Sequence, residues 1–354
     1  MLIHGGDHAG YALEYGRLPL DFSANTNPLG TPSSVKRALA LALDTLDAYP
    51  DPLCRALTHA LSHHENIDPQ WIRCGNGAAD LIFRCVLALK PRRALLLAPT
   101  FAEYELALRA VQCNITFHGL SPDDNFQLTE DVLPLLHKDL DVLFLCQPNN
   151  PTGHTIEPEL LRTIATKCVH NHIRLVVDEC FVSLLNVDNP EYYSLKTLFP
   201  HSLIILKAFT KLYGLAGVRL GYLLCSDMEY LRKFDQCGQA WSVSALAQVA
   251  GIAALEAEDF VRESRLLLRQ EAAFLRENLA SVAPSLNIQL LGGEANFMFF
   301  HSTCTDLSER LKPRGILIRS CSNYRNLDHH YYRIAVRTRK DNLQLLDALA
   351  SIAP

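Results

Sequence analysis

SLIILKAFTKLYGLAGVRLGY, residues 202–222, joins two kinds of sequence. Its first five residues form an apolar run of strand length. The remainder carries Lys207 and Lys211 four residues apart, glycines at 214, 217 and 221, and Arg219 eight residues after Lys211. An apolar run without polar alternation is buried on both faces, as in a parallel sheet between two helical layers. In such sheets ligands bind at the carboxyl ends of the strands. The charged, glycine-rich segment after the run is therefore where chemistry is expected. A lysine there can be a surface side chain whose stem packs on the core. Once buried, its pKa falls and the free amine becomes a nucleophile. The glycines let the backbone approach a bound group, and Arg219 offers a two-pronged donor for an anion.

The pattern recurs along the chain. Ala94-Leu95-Leu96-Leu97-Ala98, Val142-Leu143-Phe144-Leu145-Cys146 and Ile173-Arg174-Leu175-Val176-Val177 are similar runs, and helical patterns lie over Ala78–Leu89 and Pro158–Val169. Strands alternating with helices predict an α/β fold with a mostly parallel central sheet. A long helical stretch from about Ser244 to Leu279 is expected to lead into a smaller C-terminal α/β domain. Its strands are expected near Asn296–Phe300, Ile316–Ile318 and Tyr332–Val336. The expected organisation is an N-terminal arm (1–30), a large domain (31–245) and a small domain (246–354), with a site between the two domains. The arm reads as irregular, because SANTNPLG (23–30) is made of turn formers. Thr31-Pro32 is predicted to open a helix, with Thr31 as N-cap and Pro32 at the first helical position.

The 354 residues are 49% hydrophobic and 20% charged, enough to bury a large core without disulfide or metal staples. A net charge of −5 gives no reason to expect nucleic acid or an anionic membrane as partner. The 11 cysteines are scattered singly with no CxxC pair, as for reduced, mostly buried thiols, and no metal site is expected. The opening MLIHGGDHAGYALEYG lacks a signal-peptide pattern, and no apolar run reaches membrane length. A soluble cytoplasmic protein is expected.

Three further segments follow apolar runs. Gly75-Asn76-Gly77 follows Trp71-Ile72-Arg73 and opens a helix, whose free N–H groups suit a phosphate. In Cys146-Gln147-Pro148-Asn149-Asn150-Pro151-Thr152-Gly153, two prolines fix an irregular loop and two asparagines present amides. Val177-Asp178-Glu179 places a carboxylate at a strand end. Each has an ordinary reading when taken alone: a turn, a loop, a cap or a solvated acid. Together they supply a phosphate cradle, a carboxylate for a pyridinium nitrogen and an amide for a phenolate oxygen. With Lys211 to capture an aldehyde, they describe a site for pyridoxal 5'-phosphate.

In order and identity these residues resemble the fold-type I aminotransferase superfamily. The marks are N-N-P-T-G at 149–153, the D-E pair at 178–179 and T-K-x-Y-G-L-A-G-x-R-x-G-Y at 210–222. The resemblance covers essentially the whole chain. It implies that Lys211 is the Schiff-base lysine, Asp178 pairs with the pyridine nitrogen and Asn150 hydrogen-bonds the ring hydroxyl oxygen. It further implies that Phe101 stacks on the ring and that Asn76, Gly77, Thr210 and Arg219 hold the cofactor phosphate. Tyr49 resembles a tyrosine that reaches the phosphate in the other subunit, so a homodimer with shared sites is implied. Lys207 reads as structural. Ala208 stands where relatives carry serine or threonine, so cofactor binding is expected to lack one hydrogen bond, about 0.5–1.5 kcal/mol.

Two branches of the superfamily are close, the histidinol-phosphate aminotransferases and the threonine-phosphate decarboxylases of cobalamin biosynthesis. Three stretches look more like the decarboxylases. They are His4-Gly5-Gly6 with Asp21–Gly30, Asp178-Glu179-Cys180-Phe181, and Ile318–Tyr324 with Tyr331–Arg337. In the second, phenylalanine stands where the aminotransferases usually have tyrosine. The resemblance implies that Arg333 binds a substrate carboxylate and that His4 and Arg319 bind a substrate phosphate, with Asn27 and Asn150 also in the substrate site. The implied reaction is decarboxylation of L-threonine O-3-phosphate to (R)-1-amino-2-propanol O-2-phosphate, with L-serine phosphate as a second substrate. The residue list leaves transamination open, since one lysine serves as acid and base for either route. A cofactor-binding protein without catalysis is the alternative from another functional class.

Overall fold

The computed structural model describes residues 4–198, 201–282 and 284–352. The N-terminal arm is more ordered than its composition predicts. It forms helix α1 (His8–Tyr15), because the Asp7 side chain accepts from Gly10 N at 2.9 Å and Gly16 ends the helix at φ +67°. Strand β1 (Leu20–Asp21) follows, and SANTNPLG is irregular as expected. Helix α2 (Ser33–Ala42) starts one residue later than predicted, with Pro32 at the cap position. The Thr31 hydroxyl donates instead to Gly214 O at 3.1 Å.

Helix α3 (Arg55–Glu65) leads into strand β2 (Ile72–Gly75), and then come helix α4 (Gly77–Leu89) and strand β3 (Arg93–Ala98). Helix α5 (Ala102–Ala110), strands β4 (Asn114–Gly119) and β5 (Val142–Cys146), helix α6 (Pro158–His170) and strand β6 (Arg174–Asp178) follow. Strands β7 (Leu203–Ala208) and β8 (Gly221–Leu224) complete a seven-stranded sheet in the order β2-β8-β7-β6-β5-β3-β4. It is parallel except for β8, which runs antiparallel to both β7 and β2.

The apolar runs have the expected cause. Leu95, Leu143, Leu175 and Leu203 lie in register on one face, and Leu96, Phe144, Val176 and Ile204 on the other. None is more than 1% exposed. Full burial of such a side chain stabilises by about 1.5–3 kcal/mol. Helices α3 and α6 pack on the first face, joined by α8 (Ala245–Leu255). Helices α4 and α5 pack on the second, joined by α7 (Met228–Asp235). Strand β4 escapes a reading based on apolar runs because it is a half-exposed edge.

The helical stretch beyond residue 244 is two helices. Ser244 caps α8 by accepting from Ala247 N at 3.1 Å, and α9 (Glu258–Val282) follows after a break. Strands β9 (Gln289–Gly292) and β10 (Phe297–His301) lead to helix α10 (Leu307–Leu311), then to short strands β11 (Ile316–Leu317) and β12 (Arg319–Ser320). Strand β13 (Tyr331–Ala335) and helix α11 (Arg339–Ile352) end the chain. The second sheet is antiparallel, in the order β12-β13-β10-β9. β11 instead pairs in parallel with β1, which ties the arm to the C-terminal part. Tyr11 Oη donating to Lys312 O at 2.5 Å and Arg17 Nη2 donating to Pro313 O at 2.9 Å reinforce that joint. Among the described residues no helix is long and apolar enough to cross a membrane.

Candidate active site

A cavity of about 550 Å³ lies at the carboxyl ends of β5, β6 and β7, where Cys146, Asp178 and Ala208 reach its wall. Asp178 is the last residue of β6 and only 4% exposed. Its Oδ2 accepts from the Tyr104 hydroxyl at 2.8 Å and its Oδ1 from Cys180 N at 3.0 Å. Burial, and then the nearby Asp178 charge, push the Tyr104 hydroxyl well above its ordinary pKa, so it stays a donor.

Lys211 stands three residues past the end of β7 on the cavity wall. Burial and then the Arg333 charge lower its pKa to about 8, against the opposing pull of Cys180 and Asp178. Its Nζ lies 5.3 Å from the centre of the Phe181 ring. An amine so placed loses its proton far more readily than a solvated lysine, and the neutral form is the one that attacks a carbonyl.

The phosphate-binding end is built at the N-terminus of α4. Gly77 has φ +82°, and a Cβ there would lie 2.7 Å from Arg219 Nη2. A Cβ at Gly221 would lie 3.0 Å from Ala78 N. Two missing side chains thus allow Arg219, β8 and the first turn of the helix to close together. Ala78, Ala79, Thr210 and Arg219 line the cavity there, so helix N–H groups, a hydroxyl and a guanidinium converge on an anion-sized corner. With Lys211 and Asp178 deeper in, the arrangement fits a phosphorylated aromatic aldehyde with a basic ring nitrogen. Asn76 does not line the cavity; it is exposed, and its backbone N–H donates to Asp80 Oδ2 at 2.9 Å. Tyr49 does not line it either; it is 81% exposed and stacks on Trp241 with ring centres 4.6 Å apart.

Two further arginines line the cavity. Arg333 on β13 is 6% exposed. Its Nη1 donates to Asn150 Oδ1 and its Nη2 to Ser23 O at 2.8 Å. With its amide oxygen turned to the guanidinium, Asn25 accepts from Nε at 3.3 Å and Nη1 at 3.2 Å. All these partners are neutral. A buried guanidinium so surrounded favours an anion, because uncompensated buried charge is costly. Arg319 on β12 is the direct cross-strand partner of Arg333. Its Nη2 donates to Asn323 Oδ1 at 2.7 Å.

The other expected residues have defined places. Phe101 lines the cavity just before α5, and the His4 ring lies 5.5 Å from it, with His4 Nε2 2.6 Å from Glu103 Oε1. Asn27 lines the cavity, but its side chain is committed elsewhere: Nδ2 donates to Leu212 O and Ser264 Oγ, both at 2.6 Å, and Oδ1 accepts from Leu29 N. It holds the arm against the Lys211 turn. Tyr104 is a site residue that sequence reasoning passes over, and Ser23, Asn25 and Tyr324 fall within the stretches quoted above without a role assigned to them. Tyr104 had a faint signal, being one helical turn from Phe101. A second pair on the wall, His8 Nε2 and Asp21 Oδ2 at 2.8 Å, had none.

The family model described as aminotransferase class I and II matches residues 19–349. A threonine-phosphate decarboxylase of Salmonella typhimurium is 41% identical over 354 residues, covering 99% of this chain and 96% of that protein. The histidinol-phosphate aminotransferase structure from Clostridium acetobutylicum superposes with a TM-score of 0.87 at 26% identity, covering 94% of this chain and 98% of that one. The L-threonine-O-3-phosphate decarboxylase structure from Porphyromonas gingivalis has the same fold, with a TM-score of 0.78 at 22% identity and coverage of 94% and 98%.

Proposed function

Because the chain belongs to the aminotransferase class I and II family, we propose that it is a pyridoxal-phosphate-dependent carboxy-lyase. Its substrate in this reading is L-threonine O-3-phosphate and its product an aminopropanol phosphate for cobalamin biosynthesis. The observation that carries the reading is the pair of arginines on adjacent strands. Arg333 is buried among neutral partners, and Arg319 stands directly opposite it. A substrate with a carboxylate and a phosphate engages both guanidiniums, whereas one with a single anion engages one of them.

Bound pyridoxal phosphate supplies an electron sink for the pair left when a bond at Cα breaks. The remaining tasks fall to the chain. Thr210, Arg219, Gly77 and the first turn of α4 hold the cofactor phosphate, Asp178 pairs with the ring nitrogen, and Asn150 takes the ring oxygen. The rings of Phe101 and Phe181 keep water from the ring faces. Arg333 anchors the substrate carboxylate by a charge-assisted fork. Arg319 and His4 anchor the substrate phosphate. Holding both ends leaves the short substrate one orientation, which selects the bond to the carboxylate for cleavage. Lys211 Nζ, with its pKa near 8, gives Cα a proton after carbon dioxide has left. Tyr49 reaches the site of a second copy in this reading, making the working unit a homodimer. Serine phosphate differs by one methyl, worth about 1–3 kcal/mol in a pocket, and is a slower substrate.

The deciding experiment incubates the holoprotein with L-threonine O-3-phosphate and no oxo-acid acceptor. Carbon dioxide and a phosphorylated amino alcohol are the expected products. No carbon dioxide, together with a keto product from histidinol phosphate and 2-oxoglutarate, would replace this reading with transamination.

A further inference from the structure

We propose that Tyr324 is a positioning residue, which locks the Asn150 amide and joins it to both arginine anchors. Phe181, three residues after Asp178, lines the cavity with Lys211 Nζ over its ring, and its side chain offers no hydrogen-bond donor. A phenol reaches the same cavity from another part of the fold. Tyr324 lies in the loop between β12 and β13, is 8% exposed, and lines the cavity.

Its hydroxyl donates to Asn150 Oδ1 at 3.3 Å. The same oxygen accepts from Arg333 Nη1. An amide oxygen has two lone pairs, and here both have donors. That assigns the two ends of the Asn150 amide: oxygen toward Tyr324 and Arg333, NH₂ left for another acceptor. On the proposed reading that acceptor is the cofactor ring oxygen. The Tyr324 ring also lies under Arg319, with the guanidinium carbon 5.4 Å from the ring centre. One side chain therefore touches the phosphate anchor and the cofactor-facing amide, and shares an acceptor with the carboxylate anchor. Burial raises the pKa of this phenol despite the nearby Arg333, so it remains protonated and donating at neutral pH.

The arrangement has a consequence on binding. A substrate carboxylate competes with Asn150 Oδ1 for the Arg333 guanidinium. Tyr324 keeps its bond to that oxygen, so the amide does not turn when Arg333 is engaged. The inference rests on the cofactor and substrate reading above, and its test separates the two.

Tyr324→Phe removes one oxygen and keeps the ring under Arg319. Titration of the apoprotein with pyridoxal phosphate is expected to show affinity lower by up to about tenfold, one hydrogen bond's worth, with a shifted absorbance maximum. With threonine phosphate, kcat is expected to fall by a similar factor while KM changes less than about twofold. In a double-mutant cycle with Asn150→Ala, Tyr324→Phe should add little to the loss of cofactor affinity. Unchanged cofactor affinity and absorbance in Tyr324→Phe would overturn the proposal. So would additive losses in the cycle, or a rise in KM alone. The titration and cycle need no substrate. A wild-type protein that releases no carbon dioxide, with the spectral change present, would refute the decarboxylase reading and leave the role of Tyr324 standing.

Discussion

Lys207 and Lys211 are four residues apart and chemically opposite. Lys207 Nζ is buried against both carboxylate oxygens of Glu65, at 3.0 and 2.9 Å. Lys211 faces the cavity with a guanidinium nearby, and its pKa is lowered to about 8 from 10.5, first by burial and then by Arg333. Lys211→Ala is expected to abolish both carbon dioxide release and the absorbance of the lysine-bound cofactor. Retained absorbance would show that another amine holds it. In the wild type, the rate of cofactor capture by the apoprotein should rise with pH and level off above about 8, because the amine is then neutral. A rate still climbing at the usual lysine pKa would mean that the amine is solvated. The lysine itself is legible in T-K-x-Y-G-L-A-G-x-R-x-G-Y. Burial as a cause of its lowered pKa is legible too, but the Arg333 contribution is not, since Arg333 comes from a strand of the other sheet.

At the scale of elements, the end of α3 secures β7 and β8. Glu65 is the last residue of α3, and it pairs with Lys207 on β7, with Lys196, and with the Tyr222 hydroxyl on β8. Burial alone would raise the pKa of its carboxyl, but Lys207 and Lys196 outweigh burial and hold it at about 2. Breaking one side of a buried pair leaves the other charge uncompensated, at a cost of about 3–5 kcal/mol. Glu65→Gln is expected to lower stability by that order in urea unfolding, and a loss below about 1 kcal/mol would show that Lys207 finds another partner. The folded pKa lies below the ordinary value of 4.5. The stabilisation is therefore complete above 4.5 and is lost as pH falls toward 2, and Glu65→Gln should flatten that acid limb. This network is invisible in the sequence, where Glu65 ends an ordinary polar helix segment.

For the whole molecule, the N-terminal arm is the piece whose composition misleads. Turn formers predict an irregular segment, yet β1 pairs with β11, and Arg333 rests on Ser23 O. The arm thus helps hold one of the arginines that line the cavity. Near Tyr49 in the sequence, Leu41, Leu46 and Leu53 are also exposed, apolar side chains that a second copy would cover. Light scattering is expected to give twice the chain mass, and Tyr49→Ala to weaken cofactor binding. A monomer with full cofactor affinity would refute shared sites.

The α/β class and the chemical kit are written in the chain's local patterns. Strands buried on both faces must be apolar throughout, and a helix start against Arg219 must have glycine. Such demands are local and leave local marks. Tertiary structure alone decided how the kit is used. Register across β12 and β13 sets Arg319 opposite Arg333. Packing turns the Asn27 amide toward Leu212 and Ser264. The approach of a distant loop brings Tyr324 to Asn150. These contacts join residues far apart in the chain, and strand pairing and loop closure set their geometry, so no short stretch of sequence records them.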